Sequence, residues 1–161
     1  MSWGLLLNSF GLATSVSLLA LGIGWGAAVF LVTAGGWKRL VFLSGTMGAF
    51  SLPPFLVVNT WLGMLGNVGV LKPWLSLDVY SFGGAVWVLS LMLWPVPCLM
   101  SFGAVKRITP ELLDAEPGLS GWALLREVFL PLSRPALVQS GVIVFALACL
   151  LYTSPSPRDR G

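Results

Sequence analysis

Long apolar runs separated by short clusters of charge constrain this chain more than any motif within it. From Leu5 to Thr33 no charged side chain interrupts the sequence, and the run ends at Gly35, Gly36, Trp37, Lys38 and Arg39. A helix rises ~1.5 Å per residue, so about 20 such residues cross the hydrocarbon core of a bilayer. Over the whole chain 57% of residues are hydrophobic, 9% are charged and none is His. Polar atoms are too few to cover a folded surface in water. The expected fold is all-α, a polytopic transmembrane helical bundle with the lipid bilayer as its solvent.

Spans are expected at about 8–34, 40–65, 80–105 and 135–148, the last of them short. The first has no basic residue before it and no small-residue cleavage site after a short apolar core, which argues against a secretory signal. The second is interrupted by Leu52-Pro53-Pro54. Two prolines in succession remove backbone donors, and a membrane helix tolerates that only where neighbours or a cavity satisfy the freed carbonyls. The third contains Pro95 and Pro97 and stops at Lys106-Arg107. Between the second and third, 66–78 carries turn residues and two charges and reads as an external loop, with Trp61 and Trp74 near an interface.

The placement of basic residues reports orientation. Lys38 and Arg39 follow the first span, Lys106, Arg107, Arg126 and Arg134 follow the third, and of the loop residues only Lys72 lies on the opposite side. The positive-inside rule then puts the loop 106–134 in the cytoplasm. Three crossings leave Met1 outside, and we expect at least one further helix upstream of it. A formal charge of +3 held in short clusters makes no basic stripe, so nucleic acid is not an expected partner.

The cytoplasmic loop is itself patterned. Thr109 offers a helix N-cap, with Pro110 at the first helical position and Glu111 in the first turn. Pro117 and Gly118 interrupt that helix. A second amphipathic segment, 120–129, is expected to place Trp122, Leu125 and Phe129 on one face and Arg126 and Glu127 elsewhere.

Little remains for chemistry. Without His, and without an acidic residue in any span, the chain cannot assemble a zinc site or a His-based triad; no catalytic residue, metal ligand or cofactor is expected. Cys98, beside Pro97, reads as a packing residue. The lack of ionisable groups at depth disfavours proton coupling, so the energy for any transport would come from elsewhere. Mild polar residues such as Ser17, Thr46 and Ser90 are expected to bond between helices, and Gly22, Gly24, Gly26, Gly48, Gly83 and Gly84 to allow close helix approach. Pro53, Pro54 and Asn59 stand apart as a candidate hinge or pathway, because Asn59 follows the proline break.

In the loop, Gly118, nine residues, Val128, one residue, Leu130 and Pro131 resemble the cytoplasmic signature of bacterial ABC-importer permeases, E-A-A, three residues, Gly, nine residues, Ile or Val, one residue, Leu-Pro. The left half departs from it. Asp114, Ala115 and Glu116 stand where Glu-Ala-Ala would, but only Pro117 separates them from Gly118. The segment 52–66, LPPFLVVNTWLGMLG, and Trp94 to Pro97, WPVP, are similar to helices of binding-protein-dependent permeases of the iron(III) and thiamine importer type. The resemblance covers nearly all of 8–148. It implies a bundle that pairs with a second permease half or a second copy in the bacterial inner membrane. It also implies cytoplasmic ABC ATPase subunits docked on the loop and an extracytoplasmic substrate-binding protein. The residues it implies for ATPase coupling are Asp114, Ala115, Gly118, Trp122, Leu125, Val128, Leu130 and Pro131. Without it, the loop would read as an interfacial amphipathic helix of a small, non-transporting membrane scaffold.

The C-terminal string from Cys149 to Asp159, CLLYTSPSPRD, resembles one reading frame of a transposase-type sequencing adapter. The permease-like domain is therefore expected to occupy 1–148, with 149–161 a non-native tail.

Overall fold

The computed structural model describes residues 3–65, 81–106 and 122–153. Among them every regular element is helical: α1 (Trp3–Thr33), α2 (Gly36–Ser51), α3 (Pro54–Leu65), α4 (Phe82–Leu93) and α5 (Pro95–Lys106). A short turn (Trp122–Leu124) and a π-helical stretch (Leu125–Phe129) lead into α6 (Leu130–Thr153). Three stretches, Leu6–Thr33, Phe82–Lys106 and Trp122–Leu151, are long and apolar enough to cross a membrane. The expected all-α transmembrane architecture is present.

The second expected span is not a straight crossing. α2 and α3 are bent by 98° to each other at Leu52 and Pro53. Pro53 and Pro54 cannot donate to Ala49 and Phe50; Leu52 N–H bonds Ala49 O instead, at 3.4 Å, and α3 restarts with Leu56 and Val57 N–H on Pro53 O. By contrast Pro95 and Pro97 do not stop the third span. Trp94 keeps helical backbone angles, its N–H bonds Ser90 O, and its carbonyl accepts from Cys98 N–H, so Pro95 simply opens a new first turn.

α1 is the centre of the bundle, touched by α4, α5 and α6. It is apolar all round because one side packs on these helices while the other, with Leu7, Phe10, Leu18 and Phe30, is exposed as a lipid-facing surface would be. Small residues Ala13, Ser17, Ala20, Gly24 and Ala28 form a buried ridge near a four-residue repeat. Apolar side chains gain little by leaving lipid for a protein interior, so assembly rests on close contact. Gly24 is where it is closest: a Cβ there would lie 2.5 Å from Pro97 Cγ, 2.7 Å from Trp94 O and 2.9 Å from Cys98 N. Of the other glycines marked by the sequence, Gly22, Gly26 and Gly48 face open space and Gly83 meets only Ser81 of its own turn. Among the described residues none of these four brings a second helix close.

One buried cluster joins Leu12, Val16 and Ala20 of α1 to Val86 and Leu93 of α4 and to Val144 and Ala148 of α6. A second gathers Ala28 and Leu31 around Cys98 and Phe102, with Phe42 of α2 and Trp94 against it. Cys98 is a packing residue, as the sequence suggests. Phe42 sits edge-on to Phe30 at 5.1 Å and tilted to Trp94 at 6.1 Å, pinning α2 to the α1–α5 seam.

The pairing order fixes direction. Along α1, Val16 meets Ser90, Gly24 meets Pro97, and Ala28 and Leu31 meet Cys98 and Phe102, so α1 and α4–α5 run parallel. Trp25 meets Ser133, Leu21 meets Gly141 and Phe10 meets Phe145, so α6 runs antiparallel to α1. The chain therefore leaves α1 at one end of the bundle and returns to start α4 at the other. At the turn that begins this return, Arg39 Nε donates to Leu31 O at 3.0 Å and its Nη2 to Val32 O and Ala34 O at 3.3 and 3.1 Å. A guanidinium on the last carbonyls of α1 satisfies groups the helix leaves open and suits the negative end of its dipole.

Gly24→Ala should destabilise the bundle by about 1–3 kcal/mol, because two of the three atoms it meets are backbone and cannot rotate away. Gly22→Ala and Gly26→Ala should be neutral or slightly stabilising, as expected when glycine is replaced in an open helical position. Thermal unfolding of the three variants in detergent measures the difference.

Candidate functional site

At the end of the bundle where α1 and α5 finish and α6 begins, the described residues hold Lys38, Arg39, Lys106, Arg126 and Arg134, which are all of their basic side chains, and Glu127, their sole acid. This concentration of positive charge follows from the parallel α1–α5 seam. No group of three or more His, Cys, Asp or Glu is gathered among the described residues.

Trp122 to Pro131 rises from this end. Across Leu125–Phe129 the helix widens, and Leu130 N–H bonds Leu125 O, five residues back. Pro131, which has no N–H to give, follows at once, and a wide turn is one way to absorb that missing donor. The extra residue in the turn shifts the helical phase. Trp122 is consequently 74% exposed, Arg126 and Glu127 point outward with it, Leu125 and Val128 are half-buried, and Phe129 is buried in the bundle. The single apolar face expected for Trp122, Leu125 and Phe129 is thus divided. Leu130 is half-buried and Pro131 exposed at the start of α6. Asp114, Ala115 and Gly118 lie outside the described residues.

Ser133, one turn into α6, secures the wide turn. Its hydroxyl donates to Phe129 O at 2.7 Å and accepts from Trp25 Nε1 of α1 at 3.1 Å. The sequence patterns single out neither residue; a lone indole N–H in an apolar run needs a partner when buried, and that is the one signal for the pair. α6 continues through Pro135, whose ring leaves the Pro131 carbonyl without its helical donor.

The polar residues of the spans behave differently from expectation. Ser17, Thr46 and Ser90 donate to carbonyls four residues back on their own helices, and so do Thr14, Ser15, Ser51 and Thr60. A hydroxyl in hydrocarbon can always find that partner locally, without ordering a second helix. Ser90 and the Trp25–Ser133 pair also bond across helices, Ser90 weakly, at 3.4 Å from Val16 O. Gln139, the one amide in the last span, is exposed and lines a groove of about 440 Å³ with Pro135 and with Gly103 and Ala104 of α5.

The other candidate, the proline break, faces inward on one side. Phe50, Leu52 and Pro54 line a cavity of about 210 Å³ with Met92 and Leu93 of α4 and Leu147, Leu150 and Leu151 of α6. Pro53, Pro54 and Asn59 are themselves exposed, and Asn59 lies in the second turn of α3. The structure therefore brings Trp122, Leu125, Val128, Leu130 and Pro131 together at one end, and keeps the proline break as a separate element.

No profile of a known protein family matches the chain. It is similar to a Haemophilus influenzae protein named as a ferric transport system permease protein, FbpB 1, with 27% identity over 143 residues. That alignment covers 81% of this chain but 23% of the relative, so the chain spans about a quarter of the protein it matches.

Burial separates the two aromatic residues of the wide turn. Phe129→Ala should cost about 3–5 kcal/mol of stability, as for other buried aromatic truncations. Trp122→Ala should change stability by less than about 0.5 kcal/mol, the usual range for exposed sites. Chemical or thermal unfolding of the purified variants in micelles distinguishes them.

Proposed function

We propose that this chain belongs to the membrane-embedded permease subunit of an ATP-binding-cassette importer in a bacterial inner membrane. The observation that carries the reading is the spacing from Gly118 to Val128, Leu130 and Pro131, whose second half forms the entry into α6 at the basic end of the bundle. Similarity over most of the chain to a protein named as a ferric permease supports it independently, and makes iron(III) the favoured cargo over thiamine.

In this reading the basic end faces the cytoplasm. Trp122 and Leu125 provide an apolar anchor for a groove on an ABC ATPase, with Asp114, Ala115 and Gly118 completing the docking loop. ATP binding and hydrolysis occur on that partner subunit. A push on the loop reaches the membrane through Val128, Leu130 and Pro131 and then through α6, which is packed on α1 along its length. Pro53, Pro54 and Asn59 serve as a hinge or pathway element where the irregular backbone leaves carbonyls open to a substrate path. A second permease half or a second copy of this bundle encloses that path, and an extracytoplasmic binding protein delivers substrate to it.

Orientation is checked by labelling single cysteines in intact cells, on a background lacking Cys98 and Cys149. Lys72→Cys should react with an impermeant thiol reagent and Ser120→Cys should not; the reverse pattern would show that the basic end is external.

Coupling is checked in the assembled importer. Trp122→Ala should reduce ATPase co-purification and substrate-stimulated ATP hydrolysis by roughly tenfold or more, the loss typical of a central aromatic anchor, at unchanged membrane abundance. Glu127→Ala should do much less. Full ATPase recovery in Trp122→Ala would leave an interfacial helix of a non-transporting scaffold as the better account.

A further inference from the structure

Six polar side chains are buried among the described residues: Ser17, Thr46, Ser90, Ser101, Ser133 and Ser140. Five of them donate to a carbonyl of their own helix. Ser101, fully enclosed on α5, does not take the carbonyl of Pro97, and its Oγ has no hydrogen-bond partner among the described residues. A buried hydroxyl left in that state is costly, whereas the same position filled by an apolar group of similar shape would not be.

Ser101 opens on a small cavity between α1, α5 and the π-helical turn. Trp25, Phe129 and Ser133 line it as well, and its volume of about 10 Å³ suits one water and no more. Ser133 has capacity to spare. Its proton is committed to Phe129 O and one lone pair to Trp25 Nε1, which leaves a second lone pair for another donor.

We propose that this cavity is a binding site for a single structural water, which accepts from Ser101 Oγ–H and donates to Ser133 Oγ. The water satisfies the one orphaned hydroxyl and extends the Trp25–Ser133–Phe129 chain onto α5. The wide turn at the entry to α6 is then tied to both α1 and α5 through one polar node, in surroundings that are otherwise apolar.

Thermal unfolding of the purified chain in detergent, with Ser101→Ala, Ser133→Ala and the double variant, tests it. With a bridging water, Ser101→Ala lowers the midpoint by a few degrees although it deletes no direct protein contact, because it strands the water and Ser133. In the Ser133→Ala background the same substitution should have less than half that effect, since neighbours in one network do not act additively. In a dry cavity Ser101→Ala leaves the midpoint unchanged or raises it, and that result overturns the proposal. The sign of this one shift decides even where Ser133→Ala yields no folded protein.

Discussion

The contact of α1 with the Trp94–Cys98 segment at Gly24 is the constraint on which the arrangement depends. Within a bilayer, apolar side chains gain little from exchanging lipid for protein, so a bundle is held by surfaces that approach more closely than lipid can. Here the surface is the buried ring of Pro97, set where α1 has no side chain. Pro97 is usually read as a helix breaker; in this fold it acts as a knob, and the helix continues because Pro95 stands at a first-turn position that requires no donor. Because the contact aligns α1 with α5 in parallel, it also determines that both helices end on the same side. The clustering of Lys38, Arg39, Lys106, Arg126 and Arg134 follows from that alignment.

What could be read from the sequence was what depends on composition along a line. The all-helical apolar architecture, the interruption at Pro53 and Pro54, the role of Cys98 and the grouping of basic residues all follow from hydropathy, missing donors and charge order. Three-dimensional choices were not legible. Nothing local distinguishes Gly24 from Gly22 or Gly26; the choice is made by Pro97, more than seventy residues away. The expected hydrogen bonds between helices mostly became bonds within them, because a serine or threonine can serve its own backbone at no cost in alignment. The proline pair specifies only that some bend occurs, and not the 98° between α2, which touches α4 and α5, and α3, which touches α4.

The loop signature was legible in part for a related reason. A spacing rule identifies Val128, Leu130 and Pro131 without regard to helix phase, so it survives the widened turn. A helical wheel does not survive it: with five residues in place of four, Trp122 and Phe129 leave the shared face that a regular helix would give them. That separation assigns the two aromatics to different tasks, one in the bundle and one at its surface. It is held in place by Trp25 and Ser133, whose bond spans 108 residues of sequence.

The length of that span bears on how the protein is made. α1 is synthesised before α5 and α6, and its partners at Gly24 and Trp25 lie on those later segments. At translation rates of about 5–20 residues per second, the α1 ridge waits several seconds or more before its seam with α6 can close. During that interval the ridge of small residues faces lipid, or whatever insertion machinery holds it. The end of α1 can be completed early, where Arg39 reaches back a few residues to Leu31, Val32 and Ala34. The contacts at the end of α1 are thus local and early, whereas its central seam closes only after Pro97 and Ser133 have been made.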